Sequence, residues 1–221
     1  MINVAIDGPA GAGKSTVARR AAESLGYIYV DTGALYRTVG LKFSRTGTDI
    51  SSDDAVKKLL CETAVDIRFI SGEQHVFLDG EDVSGLIRTP EASMMASAVS
   101  AKPSVREFLL EMQRKLAREN NVIMDGRDIG TVVLPDADVK IFLTASVKVR
   151  AERRLKELRE KGENVTLQEV CADIEKRDYN DMNRAAAPLK QADDAVLADT
   201  SELDLCDSAA LVVSIIKERV G

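Results

Sequence analysis

Residues Gly8-Pro9-Ala10-Gly11-Ala12-Gly13-Lys14-Ser15 match G-x-x-x-x-G-K-[ST] at every fixed position, and this run limits the possible folds more than any other. Its glycines and small residues let the backbone curl until successive N–H groups point inward. Together with the N-terminus of a following helix, that curl makes an anion cradle. Lys14 is placed to reach β- and γ-phosphates, and the Ser15 hydroxyl to take one Mg²⁺ coordination position. The context agrees. Ile2 to Ile6 is a short apolar run that reads as a buried strand, and Lys14 to Leu25 carries helical spacing with Gly26 as a stop. A dinucleotide fingerprint is excluded, because Gly11-Ala12-Gly13 is followed by Lys14-Ser15-Thr16 and the third glycine is missing.

Beyond the loop the chain alternates. Strands are predicted at 27–30, 122–124, 139–143 and 195–197. Helices are predicted at 34–45, from the Ser52 cap to about Thr63, near Pro90, at 103–119, 146–161 (closed by Gly162), 167–184 and 207–219. That order predicts a mostly parallel, five-stranded α/β sheet covered on both faces. Residues 64–90 differ. Val65 to Ile70 and His75 to Leu78 alternate around the polar turn 71–74, a β-hairpin signal, so this stretch reads as a small antiparallel insert.

Composition narrows the partners. The 221 residues are 45% apolar and 30% charged, which excludes disorder and supports a self-sufficient core. Net charge is -6, Trp is absent and aromatics are 4%, so nucleic acid is not an expected partner. Cys61, Cys171 and Cys206 lack metal-ligand spacing, and His75 is the one histidine. No run resembles a signal peptide, and the late apolar stretch 209–216 is too short to span a bilayer. The expectation is a cytoplasmic monomer with no membrane partner.

Arginines fall where strands end or where a lid would hang. Arg37 follows Asp31-Thr32-Gly33-Ala34-Leu35-Tyr36, and Arg127 sits in Asp125-Gly126-Arg127-Asp128. Guanidinium forks suit phosphate, and open α/β sheets bind ligands beyond their strand ends. Arg150, Arg153 and Arg154 fit a ligand-facing role and a solvated face equally, the latter with pairs such as Arg153 to Glu157. Asp31 and Asp125 read either as Mg²⁺ holders, through water, or as turn and strand-end caps. Asp82-Val83-Ser84-Gly85 has the D-x-x-G spacing of a GTPase switch, but no N-K-x-D accompanies it and it reads as coincidence. ATP-dependent transfer to a small acceptor and ATP hydrolysis coupled to movement both remain open on these residues alone.

The loop 6–16, Asp31 to Arg37, Glu81 to Thr89, Asp125-Gly126-Arg127-Asp128-Ile129-Gly130-Thr131-Val132-Val133 and Arg177 to Arg184 together resemble the bacterial cytidylate kinases, within the nucleoside monophosphate kinases. The likeness covers essentially the whole chain. It implies a core (about 1–33, 121–148 and 185–221), a monophosphate-binding region with the β insert (about 34–120) and a helical lid (about 149–184). It implies transfer of the γ-phosphoryl group of ATP, with Mg²⁺, to CMP and dCMP. Gly8 to Thr16 would hold ATP, and Lys14, Arg127, Arg184, Arg153 and Arg154 would serve catalysis, the two helical arginines as lid residues. Thr32, Tyr36, Arg37, Arg127 and Arg184 would gather around the CMP phosphate. Ser97, Arg106 and Asp128 would read cytosine, and Arg177 and Asp181 would hold the ribose. Met182 stands where some members have arginine, and Thr32 where some have serine.

Overall fold

The strand β1 (Asn3–Asp7) carries three consecutive apolar residues, Val4, Ala5 and Ile6, because both of its faces are covered. It pairs in parallel with β6 (Val122–Gly126) on one side and β7 (Val139–Thr144) on the other, and β7 pairs in parallel with β8 (Val196–Asp199). With β2 (Ile28–Asp31) the sheet runs β2-β6-β1-β7-β8, the five strands expected from the sequence. This computed structural model describes residues 1–160 and 162–221, apart from the side chain of Pro90; the end of the helix expected over 146–161 therefore lies outside the described residues.

Helices α1 (Lys14–Leu25) and α8 (Leu205–Val220) lay their apolar stripes on this sheet. Val17, Ala18 and Ala21 meet Ile6, Ile123 and Ile141 in one cluster with Val212 and Ile216. Helices α6 (Val147–Glu160) and α7 (Leu167–Asn183) bury Ala151, Leu155, Leu158, Val170 and Ile174 against each other. Thr166 and Glu169 form a reciprocal capping box that starts α7. One element had no signal in the sequence: Ile129–Val133 is a π-helical turn, closed by Leu134 N–H donating to the Ile129 carbonyl at 2.7 Å.

The chain divides into two compact units, Met1–Tyr29 with Asn120–Gly221, and Val30–Glu119. The second contains α2 (Thr32–Thr46), α3 (Asp53–Cys61), α4 (Pro90–Ser100) and α5 (Pro103–Glu119), with Leu35, Val39, Phe43, Val56 and Leu109 in its core. Gly40 lets α2 close on α4, since a Cβ there would lie 2.9 Å from Met95 Cβ. The antiparallel insert is present as β3 (Val65–Ile70), β4 (Glu73–Leu78) and β5 (Glu81–Asp82). Its hairpin turn is tighter than expected. Ser71 and Gly72 alone make it, both at positive φ (53° and 83°), and Glu73 and Gln74 join β4. Two central residues at positive φ match the right-handed twist of the strands.

Candidate active site

The phosphate loop leaves β1 at Gly8, which no other residue could replace without rearrangement. Its φ is 151°, and a Cβ would stand 2.0 Å from the Leu143 carbonyl oxygen on β7. Gly13, at φ 86°, caps α1 with no side chain in the way. Lys14 Nζ donates to the Gly8 and Pro9 carbonyls, each at 2.8 Å. The side chain is buried, 5% exposed. An ammonium this enclosed must find acceptors, and the curled loop supplies them. Burial, then the neighbouring Arg127 charge, pulls its pKa down to about 7.

The parallel register places Ile6 beside Asp125 and Asp7 beside Gly126, so the strand ends bring their polar residues together. Ser15 Oγ donates to Asp125 Oδ2 at 2.8 Å, and Tyr29 Oη donates to Asp125 Oδ1 at 3.1 Å. Asp125 is buried while Ser15 is exposed. Asp7 was not singled out in the sequence. Its two oxygens accept from Ile129 N–H (2.8 Å) and Gly130 N–H (2.7 Å), which fastens the segment carrying Arg127 and Asp128 to the end of β1. Burial pushes Asp7 up to about 6, against those two amides. No pattern of spacing marks such a residue, because its partners lie more than a hundred positions away.

Four expected residues of this unit converge. Arg127 Nε donates to Asp181 Oδ2 at 2.8 Å, and Arg184 reaches Asp128 Oδ1 at 3.4 Å and Asp181 Oδ1 at 3.9 Å. Asp181 thus stands between two guanidinium groups. Although burial opposes it, the Asp181 charge holds the Arg127 pKa above its ordinary value. Arg177 is the converse case. Burial and then the Arg127 charge lower its pKa, and no ion pair holds it among the described residues. Asp173 and Asp181 offset this only in part, and a partly buried guanidinium beside another is an anion-seeking arrangement.

The helical arginines fall in three different settings. Arg153 was expected as a lid residue near ATP, with a pairing to Glu157 as the alternative. Its guanidinium donates to four oxygens, one of them in the phosphate loop, and not to Glu157: Ala12 O, Thr200 Oγ1, Thr200 O and Leu203 O, at 2.7–3.3 Å. Arg154 takes Glu157 as its partner at 3.0 Å, one position from the pairing expected. Arg150 is no solvated-face residue, being 4% exposed and bonded into the phosphate loop.

In the second unit, Asp31 Oδ1 caps α2 by accepting from Ala34 N–H (2.9 Å), and its Oδ2 pairs with Arg37 Nη2 (2.7 Å). Gly33 makes room for that pair; a Cβ there would be 3.0 Å from Arg37 Nη1. Gln74 of the insert clips the same corner, accepting from Asp31 N–H at 2.8 Å and donating to its carbonyl at 3.2 Å. Thr32 is buried at the first turn of α2. The Arg106 guanidinium lies over the Tyr36 ring at 5.5 Å and donates to the Ser100 carbonyl on α4 at 3.2 Å, the helix that also carries the half-buried Ser97. Asp82, the D-x-x-G look-alike, accepts from Ser84 N–H and Oγ and from His75, with its carboxyl held down at about 2, first by the Ser84 hydroxyl.

Among the described residues no group of three or more His, Cys, Asp or Glu could hold a metal. The donor set at Ser15 and Asp125 still suits Mg²⁺, which keeps several waters and takes only one or two protein oxygens plus substrate phosphates. Likewise, no described helix is long and apolar enough to cross a membrane.

A family model described as cytidylate kinase matches residues 4–218. The chain is 52% identical to a cytidylate kinase of Caldicellulosiruptor bescii, over 92% of this chain and 90% of that one. It is 49% identical to a cytidylate kinase of Lactobacillus johnsonii, over 99% and 95%. Among solved structures, a shikimate kinase from Bacteroides thetaiotaomicron matches with a TM-score of 0.50 at 14% identity, covering 98% of each chain, a likeness of fold alone.

Proposed function

This chain belongs to the cytidylate kinase family, and from that premise we infer that it transfers the γ-phosphoryl group of ATP to CMP, giving ADP and CDP. The family match across almost the whole chain, together with the phosphate loop, carries the reading. dCMP is taken as a second acceptor, and the protein acts as a cytoplasmic monomer in pyrimidine nucleotide supply.

The chemistry needs little from the protein beyond alignment and charge. The CMP phosphate is already ionised near neutral pH, so its oxygen attacks Pγ without a strong general base. A new P–O bond forms as the bond from Pγ to the β–γ bridging oxygen breaks, and that oxygen leaves with the electron pair on ADP. Lys14 follows the charge on the moving group, exchanging its loop carbonyls for phosphate oxygens. Ser15, with Asp125 through water, would hold Mg²⁺, which when bound neutralises charge on the β- and γ-phosphates. One Asp31 oxygen is paired with the Arg37 guanidinium, whereas the Asp125 oxygens accept from the Ser15 and Tyr29 hydroxyls, so Asp31 is the weaker of the two aspartates for that role.

Arg127 and Arg184 are assigned to the phosphate of CMP and the transferring group, Thr32, Tyr36 and Arg37 to the CMP phosphate, and Arg177 and Asp181 to the ribose. Cytosine offers an amino donor and the acceptors N3 and O2. Asp128 or Ser97 accepts from the amino group and Arg106 donates to the acceptors. Uracil reverses that pattern and leaves a buried polar group unpaired, at a cost of ~1–3 kcal/mol. A panel of CMP, dCMP, UMP, AMP and dTMP with ATP and Mg²⁺ tests the reading. CMP and dCMP should lead, with UMP about tenfold or more behind. Equal use of UMP, or preference for a purine, contradicts it.

A further inference from the structure

The peptide units flanking Ala10 are held from both sides by one buried ion pair. Asp178 Oδ1, on α7, accepts from Ala10 N–H at 3.0 Å. Arg150 Nη1, on α6, donates to the Ala10 carbonyl at 2.7 Å and lies 2.6 Å from Asp178 Oδ2. Its Nε donates to the Ala145 carbonyl at 2.9 Å, so the guanidinium has little freedom to turn. Both charges are buried, Arg150 at 4% and Asp178 at 7% exposure. Neither was assigned a role above.

Covalent geometry turns this clamp into an orientation rule. In a trans peptide the carbonyl and the next N–H point opposite ways. With the Pro9 carbonyl on Lys14 and Ala10 N–H on Asp178, the unit from Pro9 to Ala10 is pinned on both edges. With the Ala10 carbonyl on Arg150, Gly11 N–H is aimed away from α6. Pro9 has no N–H and that of Ala10 is taken, so past Gly8 the first amide able to grip an anion in the loop is that of Gly11. Gly11 is packed closely against both helices, at a backbone angle that suits glycine. Its φ is 73°, and a Cβ would lie 3.3 Å from Ile174 Cδ1 and 3.4 Å from Arg150 Cβ.

We propose that Arg150 and Asp178 are positioning residues for the triphosphate, setting the direction of the Gly11 amide and tying it to the two helices α6 and α7. The proposal rests on the kinase reading for its ligand, but binding can be measured apart from turnover. Asp178 removal alone would strand a buried guanidinium and risk the fold. The informative variant is therefore Arg150→Met/Asp178→Ala, an apolar replacement that removes both buried charges together and overpacks neither position, with Arg150→Lys as the conservative partner.

Binding of a fluorescent ATP analogue in the absence of CMP, and KM for ATP and for CMP, are read on folded protein. The double variant should bind the analogue and show KM for ATP at least tenfold weaker, with KM for CMP within about twofold. Arg150→Lys, which can keep the carbonyl and the carboxylate, should recover most of that loss. A folded double variant with unchanged ATP affinity, or one in which both KM values move together, overturns the proposal. Should wild-type protein bind the analogue yet phosphorylate no monophosphate, the kinase reading fails while the clamp can still be judged by binding. If the double variant does not fold, Arg150→Met decides beside Arg150→Lys: weakened ATP binding in Arg150→Met with near-normal binding in Arg150→Lys is expected, and a folded Arg150→Met of unchanged affinity overturns the proposal.

Discussion

Ser15 Oγ and Asp125 Oδ2 lie 2.8 Å apart, joining the first turn of α1 to the end of β6. Residues 110 positions apart meet there because β1 and β6 are parallel neighbours in matched register. The exposed hydroxyl and the buried carboxylate define where a hydrated cation and the tail of a nucleotide would converge, and Lys14 stands at the same corner.

Lys14→Met should lower turnover by two orders of magnitude or more, since it removes a charge that follows the transferring group. It should not unfold the chain. The ordinary lysine pKa of 10.5 falls to about 7 in the fold, so between those values the unfolded state binds more protons and stability attributable to Lys14 rises with pH. The sign gives a second readout. Relative to wild type, Lys14→Met should be more stable at pH 7 than at pH 10, by denaturant titration at both. A difference that does not change with pH, or a variant with normal turnover, contradicts the account.

Gly8→Ala should cost ~4 kcal/mol or more, because its Cβ would meet backbone rather than a movable side chain. Gly85→Ala is the control. Nothing lies within 4 Å of a Cβ there, so stability and activity should be unchanged. Loss of nucleotide-dependent activity in Gly85→Ala alone would revive the switch reading of Asp82 to Gly85. Thermal melting and turnover on both variants decide the matter.

Arg127→Ala should raise KM for CMP and lower kcat together, the latter by about a hundredfold or more. It also leaves Asp181 with only the longer contact to Arg184, so a modest loss of stability should accompany it. Unchanged steady-state kinetics would remove Arg127 from the reaction.

The phosphate loop was legible because its requirement is local: small residues for a curl, one lysine, one hydroxyl, a strand before and a helix after. The sheet and the insert were legible from periodicity, and the hairpin missed only its turn, where Ser71 takes a positive φ that serine does not advertise. What stayed hidden depends on distant partners. Arg150 and Arg153 sit on a helix in which charge is abundant, where a solvated face and a ligand-facing role read equally well; only the fold brings Ala10, Ala12 and Thr200 to them. Asp7 reads as the polar end of a strand until the π-helical turn is laid against it. That turn has no periodicity of its own, since a five-residue bond closed by Ile129 and Leu134 leaves no repeating stripe.

The most direct measurement is a crystal structure with CMP, Mg²⁺ and a non-hydrolysable ATP analogue. The account predicts the triphosphate curled inside residues 8–15, gripped from the Gly11 amide onward, with Lys14 Nζ released from the Gly8 and Pro9 carbonyls onto phosphate. A triphosphate bound elsewhere, or one bound while Lys14 keeps both carbonyls, would contradict it.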